Sequence, residues 1–305
     1  MLMKPSGSSF DLDATSPEAP SPPETLKEAG LTLAFLNDLI LKALYLRGTM
    51  VGRDMGQFFC LPFKVVREAL KFLKDEKNIE VMGGDLVGEV SYRFSLTDLG
   101  RRRAQEAMTM CSYCGPAPVP IEDYVEQTYR QAVTGIRCTP ESLAAPFSHL
   151  IIRDDMFNAL GPAIVSGRSV FIYGPPGNGK TAMARSIGEY MNQAGGAIYV
   201  PHAFMAEGSV ITVFDPSLHQ VDENIDNSFI DPESSVKRLL NTGAVDPRWV
   251  RIRRPVIITG GELTLDMMDL RYNAESKFYQ APIHFKANGG VFLIDAFGRQ
   301  IVSPK

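Results

Sequence analysis

Val170-Phe171-Ile172-Tyr173, followed at once by Gly174-Pro175-Pro176-Gly177-Asn178-Gly179-Lys180-Thr181, is the stretch on which the reading of the fold turns. Four apolar residues suit a buried strand of a parallel sheet, and residues 182–191 read as a helix. Strand, glycine-rich loop and helix follow in the order that the pattern GxxxxGK[ST] requires. Glycines let the chain curl until successive backbone N–H groups converge, which suits a phosphate chain. The helix N-terminus adds partial positive charge at the same place. In such a loop Lys180 reaches the outer phosphates and the Thr181 hydroxyl ligates magnesium. We therefore expect Gly174, Pro175, Pro176, Gly177, Asn178, Gly179, Lys180, Thr181 and Ala182 to hold a nucleoside triphosphate, ATP with Mg2+.

A phosphate loop of this kind works with an acidic residue at the end of a buried strand. Gly289-Gly290 followed by Val291-Phe292-Leu293-Ile294-Asp295 supplies that arrangement. Asp295 is expected to hold magnesium with Thr181, directly or through water, so that Lys180 and Asp295 carry the chemistry.

Upstream, residues 1–24 are rich in Ser, Pro and acidic groups, and are read as a disordered tail. In residues 31–46 the apolar positions Leu33, Leu36, Leu39, Ile40, Ala43 and Leu44 recur at helical spacing, and Gly48 ends the run. A short segment over 52–60 follows, then Pro62 opens a helix over 63–74 with Val66, Leu70 and Leu73 inward. Strands are expected over 79–82 and 90–96, with a last helix capped by Thr97 or Asp98 and carrying Arg101, Arg102 and Arg103. This order resembles a winged helix-turn-helix over residues 31–109, within a domain taken as residues 25–114. Residues 31–110 hold 12 Lys and Arg against 10 Asp and Glu, a net of +2, where DNA-binding modules carry a clearer basic footprint. Lys64, Arg67, Lys71 and Lys74 on the second of these long helices keep DNA open as a partner, beside protein docking or regulation. Gly115-Pro116-Ala117-Pro118-Val119-Pro120 reads as a stiff linker, and a second domain takes up residues 121–305.

The motifs together resemble AAA+ ATPases. The phosphate loop looks like theirs, and Lys286-Ala287-Asn288-Gly289-Gly290-Val291-Phe292-Leu293-Ile294-Asp295 is similar to the approach to the second acidic motif in the chelatase-like and MoxR-like branches. The layout is similar to a group of bacterial AAA+ proteins with an N-terminal winged helix. In these relatives Arg168, Gly260-Gly261-Glu262-Leu263-Thr264 and Phe297-Gly298-Arg299-Gln300 sit in the same places. The resemblance implies an α/β fold: a P-loop NTPase αβα sandwich preceded by an α+β winged helix-turn-helix domain. It also implies a homo-oligomeric ring, usually a hexamer, that remodels a protein or nucleic-acid partner. Two departures alter the expectation. AAA+ proteins place a carboxylate directly after the acidic residue of this motif, where this chain has Ala296, so binding is expected with impaired turnover. The chain also stops ten residues after Asp295. We expect the sensor residue, arginine finger and helical lid of such a module to lie beyond it.

The remaining composition excludes more than it assigns. With 305 residues, 45% hydrophobic and 22% charged, and a net charge of −4, the chain is an ordinary globular one. No run approaches the roughly 20 apolar residues of a membrane span, no secretory signal is seen, and cytoplasm is the default. Four cysteines are too few for a disulfide framework. Cys111-Ser112-Tyr113-Cys114 lacks a second ligand pair for zinc and a thioredoxin-like strand before it, so Cys60, Cys111, Cys114 and Cys138 are read as free thiols. Residues 207–241, with Asp222, Glu223, Asp226 and Asp231, read as a solvated insertion rather than a calcium loop. Arg248, Arg251, Arg253 and Arg254 beside Trp249 are read as solvent-facing, with a ring contact or nucleic-acid stripe as the sharper alternative. Strands are expected over 197–201 and 256–259, and a hairpin over 209–214 with its neighbour. Glu262 follows the second of these strands as a further carboxylate, and His149, His202, His219 and His284 are read as structural. Three functions stay in play: a remodelling ATPase, a nucleotide-gated DNA-binding regulator, and a nucleotide-binding scaffold without turnover.

Overall fold

The computed structural model describes residues 18–83, 88–175, 177–222 and 245–295. It is a mixed α/β protein whose described residues form four sheets, one of them mixed. The N-terminal unit runs α1 (Leu33–Arg47), β1 (Thr49–Val51), α2 (Gly52–Phe59), α3 (Phe63–Asp75), β2 (Ile79–Gly83), β3 (Arg93–Leu96) and α4 (Asp98–Met110). Local chemistry sets most of these bounds. The Thr32 hydroxyl accepts from the Phe35 N–H at 3.2 Å to start α1, and Thr97 does the same for Gly100 at 3.1 Å in α4. Gly48 ends α1 at φ 82°. The three strands pair antiparallel in the order β1-β3-β2. Leu36, Leu39, Ile40, Leu44, Val66, Leu70 and Leu73 form the core with Met55 and Phe59.

Sequence periodicity missed two features of this unit. The strand β1 is only three residues long and exists because β3 pairs with it. Lys42 lies in α1 at 3% exposure, and its Nζ donates to the Cys111 carbonyl at 3.0 Å. That carbonyl lies just past the end of α4, where helix carbonyls lack partners and attract a cation. Burial pulls the Lys42 ammonium below the usual lysine range, with Cys111, Cys114 and Asp38 opposing.

The rest of the chain runs β4 (Val119–Pro120), α5 (Ile121–Arg130), α6 (Pro140–Phe147), α7 (Asp154–Val165), α8 (Lys180–Gly195), β5 (Ile198–Pro201), β6 (Ala203–Ala206), β7 (Ser209–Thr212), β8 (Trp249–Ile252), β9 (Val256–Thr259), β10 (Arg271–Asn273), β11 (Phe278–Gln280) and β12 (Val291–Ile294). A five-stranded sheet has the order β10-β11-β7-β6-β4, and β5-β8 and β12-β9 form separate pairs. The hairpin β6-β7 turns through Glu207 and Gly208, both at positive φ, as a tight two-residue turn requires.

Several expectations are corrected here. The proline-rich stretch 115–120 is no free linker: Ala117 and Val119 are fully buried, and β4 pairs parallel with β6 at the sheet edge, where proline is tolerated. Residues 18–24, expected in a disordered tail, carry bonds to the body; the Pro20 carbonyl accepts from Asp246 N–H at 2.7 Å and the Glu18 carbonyl from Gln127 at 3.1 Å. The rest of that tail, residues 1–17, lies outside the described residues, as do Glu223, Asp226 and Asp231. Residues 170–173, expected as a strand, form none. They belong to none of the sheets, and Phe171 and Tyr173 are 72% and 83% exposed. Nor do Arg248 and Arg254 face solvent; they are 2% and 4% exposed. Arg251 pairs with Asp222 at 3.2 Å and Arg253 with Glu189 at 2.9 Å.

Arg248 joins the N-terminal unit to the rest. Its guanidinium grips the Asp246 carboxylate at 2.8 Å, and Nη1 donates to the Ala29 carbonyl at 2.8 Å and the Pro118 carbonyl at 3.5 Å. Around this joint Ser112 N–H donates to the Ser276 carbonyl at 2.9 Å, and the Tyr113 and Phe278 rings meet edge to face. Arg248→Ala would leave Asp246 buried without its partner, a change that costs about 3–5 kcal/mol. Urea unfolding of the two proteins measures this; a loss below about 1 kcal/mol would show that the pair does not hold the joint.

Candidate functional site

The loop Gly174–Gly179 ends on α8. Gly177 and Gly179 sit at φ 86° and 71°, a region side-chain-bearing residues rarely adopt, and Gly179 caps the helix. A Cβ built on Gly174, Gly177 or Gly179 meets nothing within 4 Å, so it is backbone conformation rather than crowding that asks for glycine there. Lys180 folds back over the loop, its Nζ donating to the carbonyls of Gly174 at 3.2 Å and Pro175 at 2.9 Å. The first amides of α8, from Lys180 to Ala182, have no acceptor within the helix. Asn178 is exposed and Ala182 half-buried. Pro176 lies outside the described residues.

Thr181 and Asp295 stand 114 residues apart in sequence, and the Thr181 hydroxyl donates to Asp295 Oδ2 at 2.8 Å. β12 and β9 bring this about. They run parallel in register, Val291 beside Val256 and Ile294 beside Thr259, and the Asp295 N–H donates to the Thr259 carbonyl at 2.7 Å. Asp295 thus emerges at the carboxyl end of the pair, against the first turn of α8. A hydroxyl and a carboxylate side by side are the hard oxygen donors that magnesium takes, usually completed by water and substrate phosphates. The residues present fit that ion. No group of three or more His, Cys, Asp or Glu placed to hold a metal occurs among the described residues.

Arg254, immediately before Pro255 and β9, holds these elements together. Its guanidinium donates to the carbonyls of Gln131 at 3.0 Å, Gly289 at 2.7 Å, Gly195 at 3.1 Å and Gly196 at 3.2 Å. Burial pulls it down to about 10, still charged at neutral pH. The Asn192 side chain brackets the Arg254 backbone, accepting from its N–H at 2.7 Å and donating to its carbonyl at 3.1 Å. α8 lies so close on β9 that a Cβ at Gly188 would come within 2.0 Å of the Val256 side chain. Sequence reading missed Arg254, because an arginine in a polar run carries no signal of burial.

Glu262 lies just past the end of β9. Its Oε1 accepts from the Gly260 N–H at 2.8 Å. The Gly260 and Glu262 amides hold this exposed carboxyl below the usual carboxylate range. Ala296 and Phe297-Gly298-Arg299-Gln300 lie outside the described residues.

No protein-family model matches the chain, and comparison with curated proteins yields no match. No helix among the described residues is long and apolar enough to cross a membrane.

A clasp under β12 makes the region pH-sensitive. His219 Nδ1 accepts from the Asp215 N–H at 3.0 Å, and Nε2 meets the Lys286 carbonyl at 2.8 Å, which fixes a neutral ring with its proton on Nε2. Burial holds the His219 imidazole below the usual 6.5, opposed by the Lys286 carbonyl and Asp215. His202 is lowered by burial as well. Lys286 also grips Asp215 at 2.8 Å. Burial pushes Asp215 up, but bonds from Lys286 and Ser217 outweigh it and bring it to about 2, so it stays ionised at mild acidity. The unfolded imidazoles bind protons near pH 6.5 and the folded ones resist. Stability is therefore full above pH 6.5 and declines as pH falls through it toward the folded values. Urea midpoints at pH 7.5 and 5.5 should show this fall, and His219→Gln should shrink the difference; a pH-independent midpoint would contradict the assignment.

Proposed function

We propose that the chain is an ATP-binding P-loop NTPase of the AAA+ kind, an αβα nucleotide domain over residues 121–305 preceded by a winged helix over residues 25–114. The observation that carries this reading is the hydrogen bond from Thr181 at the start of α8 to Asp295 at the end of β12. It joins the two oxygen donors that a magnesium-triphosphate complex needs, beside a loop of glycines at positive φ and a lysine above it. Residues 170–173 form no strand and lend it no support, so the reading rests on loop, helix and carboxylate rather than on a complete sheet.

In this reading Lys180 leaves the loop carbonyls and moves to the outer phosphates, exchanging neutral acceptors for charged ones, which bind more strongly. The first amides of α8 and the helix dipole take the inner phosphates. Thr181 and Asp295 hold magnesium, which when bound neutralises charge on the triphosphate. Ala296 offers no carboxylate to the attacking water, so water activation has to come from another residue. The protein is a cytoplasmic, ring-forming homo-oligomer, a hexamer by analogy, that remodels a protein partner through its winged helix. Lys180→Ala should weaken ATP binding at least tenfold in calorimetric titration with magnesium present. Equal affinities would remove the assignment.

A second reading, a nucleotide-gated regulator that binds DNA, is favoured by one feature. The order α1-β1-α2-α3-β2-β3 with sheet order β1-β3-β2 leaves Lys64, Arg67, Lys71 and Lys74 of α3 exposed. Against it, Glu24 pairs with Lys64 at 3.7 Å, and Glu68 and Asp75 share the exposed face. Few phosphates can be neutralised, and their number sets affinity and salt slope. Binding of the chain to mixed-sequence duplex near physiological salt should be weaker than micromolar by fluorescence anisotropy. Sub-micromolar, salt-sensitive binding would make DNA the partner.

A further inference from the structure

We propose that Glu262 is the carboxylate that activates the attacking water, a role for which the side chain of Ala296 offers no carboxylate. The proposal rests on the nucleotide reading above and adds a residue to it. The geometry is a chain of bonded neighbours. Thr181 donates to Asp295, the Asp295 N–H donates to the Thr259 carbonyl, and the next residue, Gly260, donates to Glu262 Oε1. Because β9 and β12 are parallel and in register, both strands end on the same side, and both carboxylates follow those ends. Glu262 is the first carboxylate after β9, and it is exposed, as a group meeting water and a γ-phosphate must be.

The turn that carries it is anchored. Leu263 is 4% exposed and its N–H donates to the Gly260 carbonyl at 3.3 Å, while the carboxylate folds back over Gly260. A Cβ at Gly260 would come within 2.9 Å of Glu262 Oε2, so an alanine there would push the carboxylate aside.

In the step, the water oxygen bonds to the γ-phosphorus as the bond from phosphorus to the β,γ-bridging oxygen breaks, with its electron pair passing to the ADP oxygen. The water proton passes to Glu262 and from there to the released phosphate. Lys180, Thr181 and Asp295 hold the triphosphate and magnesium and give up no proton.

The test is phosphate release under single-turnover conditions with magnesium and ATP, beside ATP affinity by titration, on the full chain. Compared are the unaltered protein, Glu262→Gln, Gly260→Ala and Lys180→Ala. A general base contributes about 10²–10⁴-fold, so Glu262→Gln should slow release by about that factor with ATP affinity within about threefold. Gly260→Ala, by displacing the carboxylate, should slow release by a smaller factor, again with binding kept. Unchanged release in Glu262→Gln, or release by the unaltered chain no faster than by Lys180→Ala, would overturn the proposal while leaving ATP binding in place. Absence of ATP binding by the unaltered chain would instead remove the nucleotide reading itself.

Discussion

The guanidinium of Arg254 sits where four backbone carbonyls converge, and the placement of the site depends on that convergence. One carbonyl follows α5, two belong to the end of α8, and one lies on the lead-in to β12. Helix ends leave carbonyls without intrahelical partners, and a buried unpartnered carbonyl costs free energy. A planar cation with five donors answers several of them at once. The consequence reaches the chemistry. α8 carries Thr181 at its other end and β12 leads to Asp295, so the cation sets the spacing within which their hydrogen bond forms.

The same device recurs at the joint between the N-terminal unit and the rest. Arg248 is paired with Asp246 and spends its remaining donors on the Ala29 and Pro118 carbonyls, and Lys42 answers the carbonyl after α4. In each case a buried cation ends on backbone oxygen. The desolvation that burial imposes is offset by bonds to dipoles that would otherwise be unsatisfied. The N-terminal unit is thereby held at fixed points against the five-stranded sheet, with β4 serving as edge strand and connector together. β11 meets that unit through Phe278 against Tyr113, and β11 pairs with β7 in the same sheet.

At the site itself, the two strand ends matter more than either residue alone. Asp295 is already engaged by Thr181, so its carboxylate is held against the first turn of α8. Glu262 is held as an anion by backbone amides at the neighbouring strand end. Two carboxylates with different partners can take different roles, one toward metal and one toward water.

What the sequence by itself determined is what depends on neighbours in the chain. The loop glycines, the helix after the loop, the cap at Thr97, the end of α1 at Gly48 and the strands β9 and β12 were all legible. Backbone preference and side-chain periodicity act over a few residues. Tertiary structure alone decided the rest. Residues 170–173 have the composition of a strand, yet a strand is made by a regular ladder of hydrogen bonds with another segment, and they take part in none of the sheets. Residues 115–120 read as linker, yet their carbonyls and small side chains are buried because β6 and Arg248 meet them. Arg248, Arg254 and Lys42 carry no local sign of burial. A cation is buried only where distant carbonyls or a carboxylate converge on it, and that convergence exists only once the chain has folded.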